Sequence, residues 1–263
     1  MYHRHLTRVS EIRDCLPIKE ISGSFFENFE QSLAENPIKR KLFQYIENDL
    51  DALDMTAWMH FKMQVAHLFQ RKDAKRGWQA AFDKLNEAKA YSYLAKIGCT
   101  DLAFIPESGI KSRKTPDLQG KLGARPILCE VKTINISENE VTSRRSAING
   151  DYVASNISMS LTSEFMSKLF KTLTTANLQI ESYCTDDITC RFVYVTLNFD
   201  DLLNEYVDDY LAQIDCFLTT KKEFPTIQLI LNSKPAFYAS TSESEDANLR
   251  CYALTPNGGH LNT

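Results

Sequence analysis

Apolar positions in the first third of the chain recur every three or four residues. Phe25, Phe29 and Leu33 fall at spacings of four, and Leu42, Tyr45, Ile46 and Leu50 keep the same period. That spacing lines one stripe of a helix. Pro37 separates the two segments and suits the first turn of the second, where its missing N–H costs nothing. Met59, Met63, Ala66 and Phe69 or Gln70 continue the period, with Trp58 and Phe61 beside them. The basic run 71–76 and Gly77 interrupt it. A further helix is predicted from Trp78 to Ile97, closed by Gly98, a residue suited to the left-handed turn that ends helices.

After Gly98 the pattern shifts to short apolar runs and to alternation. Leu102 to Ile105 ends at Pro106. Thr115 to Leu118 is followed by 119–123, which carries two glycines and reads as a turn; Pro126 to Thr133 then reads as a strong strand. Strand, hairpin and strand are the result. The polar stretch Asn135 to Asn156 has little periodicity and reads as a long loop. Met159 to Leu178 is predicted helical, Cys190 to Phe199 a strand, and Asp200 to Leu218 an acidic helix. Thr226 to Leu231 and Arg250 to Leu254 read as short strands, and 240–246 as a solvated loop. Strands alternating with helices indicate an α/β or α+β fold with a mixed central sheet.

Composition narrows the class. The chain has 263 residues, 43% hydrophobic and 24% charged, which suits one large or two small globular domains and excludes disorder as the main state. Seven cysteines, with no CxxC pair, argue against a disulfide framework or a structural zinc and for a reducing compartment. The first residues lack the apolar region of a signal peptide, and no apolar run approaches a membrane span. A soluble, cytoplasmic protein is expected. The net charge of −4 excludes a uniformly basic coat but leaves room for a local basic groove.

The chemistry concentrates on the hairpin. Glu130 and Lys132 lie two apart on a strand, so both side chains leave one face, while Cys129 and Val131 point to the other. Charged groups on a central strand are costly to bury unless they serve each other or a cation. Asp117 lies on the preceding strand, and pairing across the turn can bring its carboxylate beside that of Glu130. Two adjacent carboxylates repel, and a hard divalent cation with oxygen ligands removes that repulsion. Lys132 could then stabilise transition-state charge or hold an attacking water. The opposing reading is a strand-face ion pair between Glu130 and Lys132, with Asp117 opening a turn.

These residues resemble the PD-(D/E)XK nuclease superfamily, the restriction-endonuclease-like fold. Pro116-Asp117 supplies the first element and Glu130-Val131-Lys132 the second, with twelve residues between them. The E-x-K triplet alone has little specificity, since Glu87-Ala88-Lys89 repeats it; Pro-Asp occurs once. Members often carry a further acid on the preceding helix, where Glu87 stands. The order of elements matches the family core from about Trp78 to Phe199, under half the chain. The resemblance implies a mixed central sheet flanked by helices in a nuclease domain placed at 78–263; the helical N-terminal portion, residues 1–77, and the end of the chain are not explained by it. It implies Mg²⁺-dependent (or Mn²⁺-dependent) hydrolysis of a nucleic-acid backbone. Asp117 and Glu130 would be metal ligands, Glu87 an auxiliary ligand and Lys132 the catalytic lysine. A DNA endonuclease of defence, mobile-element or repair type is the foremost expectation. The alternatives are an RNA-directed or structure-specific nuclease and a non-catalytic nucleic-acid-binding module. A homodimer, or a partner protein held by the helical portion, is compatible with it.

Charge is unevenly placed. Between Glu107 and Arg145 eight bases meet five acids, whereas Glu181 to Asp215 carries nine acids and one base. A basic rim around an acidic centre suits a phosphate backbone. Lys111, Arg113 and Lys114 are the candidates for nucleic-acid contact on the rim. Lys168 and Lys171 on the next helix either join them or form its solvent face. His3, His5, His60 and His67 lack further ligands at zinc spacing, and Trp58 and Trp78 read as core. Gly258-Gly259 reads as a turn, since no helix follows.

Overall fold

The computed structural model describes residues 5–17, 21–74, 76–106, 114–134, 160–184, 186, 188–198, 207–221, 223–233, 249–256 and 260–261. The expected loops at 135–156 and 240–246, the Gly258-Gly259 turn, His3, Lys111 and Arg113 lie outside them.

Five helices come first: α1 Thr7–Asp14, α2 Phe29–Glu35, α3 Pro37–Asp51, α4 Met55–Ala66 and α5 Gln79–Lys96. Their starts follow from local chemistry. The Asn36 side chain accepts the Lys39 N–H at 3.0 Å and Pro37 opens α3; Asp54 accepts the Ala57 N–H at 2.8 Å to open α4. Helix α1 has no side-chain cap of its own. The buried Glu47 carboxylate of α3 accepts the N–H groups of Arg8 and Val9 at 2.8 and 2.9 Å instead.

One expected stripe is corrected. Helix α4 buries Ala57, Trp58, Phe61 and Val65, while Met59 and Met63, on the predicted face, are 48% and 76% exposed. Both stripes satisfy the helical period, but the aromatic one hides more apolar area, and the Trp58 ring N–H finds the Glu11 carboxylate at 2.9 Å.

Among the described residues the sheet has seven strands in sequential order: β1 Cys99–Phe104, β2 Leu118–Leu122, β3 Arg125–Ile134, β4 Cys190–Leu197, β5 Ile227–Asn232, β6 Leu249–Leu254 and the two-residue β7 His260–Leu261. β1, β2 and β3 form an antiparallel meander, β3, β4 and β5 run parallel, and β6 and β7 return antiparallel. The two parallel steps are bridged by helices, α6 Ser163–Tyr183 and α7 Val207–Thr220, as parallel pairing requires. The α/β class and the mixed sheet are as expected.

A second expectation changes at the hairpin. Residues 119–122 are strand rather than turn, and Gly123, at φ +60°, begins the reversal. Gly120 is there for a different reason. A Cβ on it would stand 2.9 Å from the Thr100 carbonyl oxygen and 2.8 Å from Leu102 Cδ2, so only glycine lets β1 approach this closely.

Apolar residues bury on both faces of the sheet. One face carries Ile127, Cys129, Phe192, Tyr194 and Ile230 in a single cluster with the buried residues of α1 to α5. The other carries Leu128, Ile134, Val193, Val195 and Leu229 beneath Leu169, Leu173, Ala176 and Ile180 of α6 and Ile214 and Leu218 of α7. All seven cysteines are free thiols. Among the described residues no helix is long and apolar enough to cross a membrane.

Candidate functional site

The site forms where β2 parts from β3. Their pairing runs from Leu122 opposite Arg125 to Leu118 opposite Cys129. The Asp117 N–H makes one last ladder bond, to the Cys129 carbonyl at 3.1 Å. β3 then continues to Ile134 along β4. The next edge-facing donor, the Val131 N–H, would be stranded in the interior, where an unpaired amide is costly. The Asp117 carboxylate takes it, accepting at 2.7 Å. The side chain of Asp117 thus replaces the missing strand and is fixed at the fork.

Glu130 lies on the α6 face of β3, 1% exposed. Its carboxyl meets three partners there. Lys132 Nζ donates to Oε1, as two residues on one face of a strand allow. Gln179 Nε2 of α6 donates to Oε2 at 2.8 Å and to the Thr115 carbonyl at 2.6 Å. The third partner is Asp117, whose carboxyl is within hydrogen-bonding reach. Lys132 Nζ also reaches Gln179 Oε1 at 3.5 Å.

The electrostatics follow from that crowding. Burial, and then the Asp117 charge, push Glu130 up to about 8 despite the ammonium of Lys132. Burial also raises Asp117, opposed by the Val131 N–H and by the ammonium groups of Lys132 and Lys84. A carboxyl held neutral near neutral pH beside a second carboxyl is a common mark of a working site. It is also a pair of hard oxygen donors. Mg²⁺ characteristically takes one or two carboxylates and keeps several waters, so Asp117 and Glu130 fit it. Among the described residues no group of three or more His, Cys, Asp or Glu converges to hold a metal ion.

The structure therefore brings together Asp117, Glu130 and Lys132. Glu87 lies on α5 at the mouth of the site, where its Oε2 sits 2.5 Å from Lys84 Nζ. A cleft of about 380 Å³ beside the fork is lined by Lys84, Glu87, Val131, Lys132 and Thr133. Lys114 is exposed three residues before Asp117. Lys168 and Lys171 are exposed on α6, roughly 12–16 Å along the helix from Gln179 at 1.5 Å per residue. Of the other basic residues between 107 and 145, Lys121 pairs with Asp101 at 2.8 Å and Arg125 reaches the Ile188 carbonyl at 3.4 Å. Both stand at the far end of the hairpin. Two residues escaped sequence reasoning. Gln179 adjoins the apolar stripe of α6, and Lys84 stands three residues before Glu87. A polar residue flanking the buried stripe of a crossover helix was the available signal for the first.

Compared with models of known families, with curated proteins and with solved structures, the chain finds no match.

Proposed function

We propose that the protein is a metal-dependent nuclease of the PD-(D/E)XK type, a DNA endonuclease, built on a restriction-endonuclease-like core from α5 to β4. The carrying observation is the meeting of the Asp117 and Glu130 carboxyls with the Lys132 ammonium at the β2–β3 fork. The order helix, three-stranded meander, helix, parallel strand supports the fold assignment.

Asp117 and Glu130 would hold Mg²⁺, which supplies Lewis-acid activation of water and of the phosphoryl oxygens. The chain's own residues do the rest. The Val131 N–H and Gln179 orient the two carboxyls. Lys132, which lines the cleft, would face the negative charge that builds on the phosphoryl oxygens as water attacks. The water oxygen bonds to phosphorus, the ester oxygen leaves, and that oxygen takes a proton, giving a phosphomonoester and a hydroxyl.

Supercoiled plasmid with Mg²⁺ tests this. Wild type should nick it, Asp117→Ala should not, and Lys132→Ala should be slower by about 10²–10⁴-fold. Equal cutting by all three, or none by wild type, would overturn the assignment.

A further inference from the structure

The cleft beside the fork has a second ammonium that the site as described leaves unused. Lys84 projects from α5 and is only 16% exposed, and its partner Glu87 is 17% exposed. Ion pairs three residues apart on helices are ordinarily solvent features of small consequence. This one is turned inward. Lys84 Nζ stands 5.9 Å from the ring centre of Phe104, the β1 residue paired with Leu118 and hence one step from Asp117. Its charge is felt at the Asp117 carboxyl, as is that of Lys132. The two lysines come from different elements, α5 and β3, and line the same cleft.

Holding Lys84 there has an evident cost. A lysine stem loses rotamer freedom and its ammonium loses water, and a carboxylate three residues on offsets only part of that. An arrangement that served Glu87 alone would leave both groups in solvent. Two ammonium groups, brought by different elements to one cleft, suit an anionic ligand that reaches both.

We propose that Lys84 is a second functional lysine of this site, a phosphate-binding residue on the wall opposite Lys132, held in place by Glu87. This rests on the nuclease reading and deepens it. Lys132 serves the phosphate being cut, and Lys84 grips a backbone phosphate across the cleft. Glu87 is then a positioning residue for Lys84.

A salt-dependence measurement separates a phosphate contact from a structural ion pair. Each phosphate neutralised contributes about 0.9 to the slope of log affinity against log salt on duplex DNA. Fluorescence anisotropy with a labelled short DNA duplex, Ca²⁺ replacing Mg²⁺ so that binding is read without cutting, would be run across a salt series. Lys84→Met should weaken binding by about tenfold at moderate salt and lower the slope by about one, whatever the duplex sequence. Lys84→Arg should keep the wild-type slope. Lys89→Met is the control; it sits on the same helix but faces Asp49 of α3 at 4.0 Å, and its slope should be unchanged. A folded Lys84→Met protein that binds with the wild-type slope overturns this inference and leaves the nuclease reading standing. A wild-type protein that binds no nucleic acid overturns both.

Discussion

Two glutamates are buried almost completely, Glu47 at 3% exposure and Glu130 at 1%, and burial raises the proton affinity of each. Their surroundings differ in kind. Glu47 accepts two backbone N–H groups at the start of α1, and the charges of Asp51 and Arg8 act on it less than burial and those two bonds do. It does the work of a missing cap, and the two N–H groups favour the anion against the burial that raises its proton affinity. Glu130 faces a second carboxyl, an ammonium and a side-chain amide, and is pushed up to about 8. Burial alone thus fails to tell these two carboxyls apart. What tells them apart is whether the partners complete the charge or leave it contested.

The sharpest way to break that contrast is to neutralise each glutamate in turn. On the proposed reading, in which Glu130 holds the metal, Glu130→Gln should lower plasmid nicking by about 10³-fold or more, a loss of several kcal/mol of transition-state stabilisation. Glu47→Gln should leave the nicking rate within about twofold and instead lower the melting temperature, by loss of charge-assisted bonds worth about 1.5–3 kcal/mol. A Glu47→Gln protein that melts normally but does not cut would erase the distinction.

The pH dependence of stability separates them more finely. A carboxyl whose folded pKa lies above its unfolded value stabilises the fold at low pH, and that contribution is lost as pH rises through the folded pKa. For Glu130 the window runs from its ordinary 4.5 to about 8. Metal-free protein should therefore lose stability across that range, by an amount on the order of a few kcal/mol at most. Glu130→Gln should flatten the decline. Mg²⁺ at the upper end should raise the melting temperature of wild type and of Glu47→Gln but not of Glu130→Gln. Scanning calorimetry with and without Mg²⁺ reads all three, and a decline that Glu130→Gln leaves unchanged would place the contested charge elsewhere.

Much of this was legible along the chain, for reasons that also mark where legibility stopped. Strand periodicity alone places Glu130 and Lys132 on one face, because the alternation is fixed by the pleat. Asp117 could be placed near them because only a short turn intervenes. The turn itself was misplaced: Gly120 looks like turn chemistry, yet it serves the close approach of β1, a neighbour that local pattern does not reveal. The stripe of α4 was misread because Met59 and Trp58 both satisfy the helical period, and only the packing partner decides between them. Lys84 and Gln179 stayed invisible because their placement depends on α5 and α6 crossing the sheet near the fork. Nothing in a sequence window distinguishes a lysine that turns into a cleft from one that turns to water.

Gln179 offers the smallest and most discriminating test of the comparison. At Glu47 the partners are backbone; at Glu130 the corresponding donor is a side-chain amide that also ties down the Thr115 carbonyl, two residues before Asp117. One glutamine therefore sets both carboxyls in register, one directly and one through the chain. Gln179→Leu keeps the helix and its packing but leaves Glu130 Oε2 and the Thr115 carbonyl short of a donor. The expected cost is about 1–3 kcal/mol of stability, together with a fall in the cutting rate of about tenfold. Mg²⁺ affinity should weaken in parallel, measured by the metal concentration at half-maximal nicking. Gln179→Glu adds a third carboxyl where a donor stood, so it should depress cutting further at low Mg²⁺ and recover in part as Mg²⁺ is raised. If Gln179→Leu loses stability but keeps wild-type Mg²⁺ dependence, Gln179 is a brace like the donors around Glu47, and the contested charge at Glu130 belongs to Asp117 and Lys132 alone.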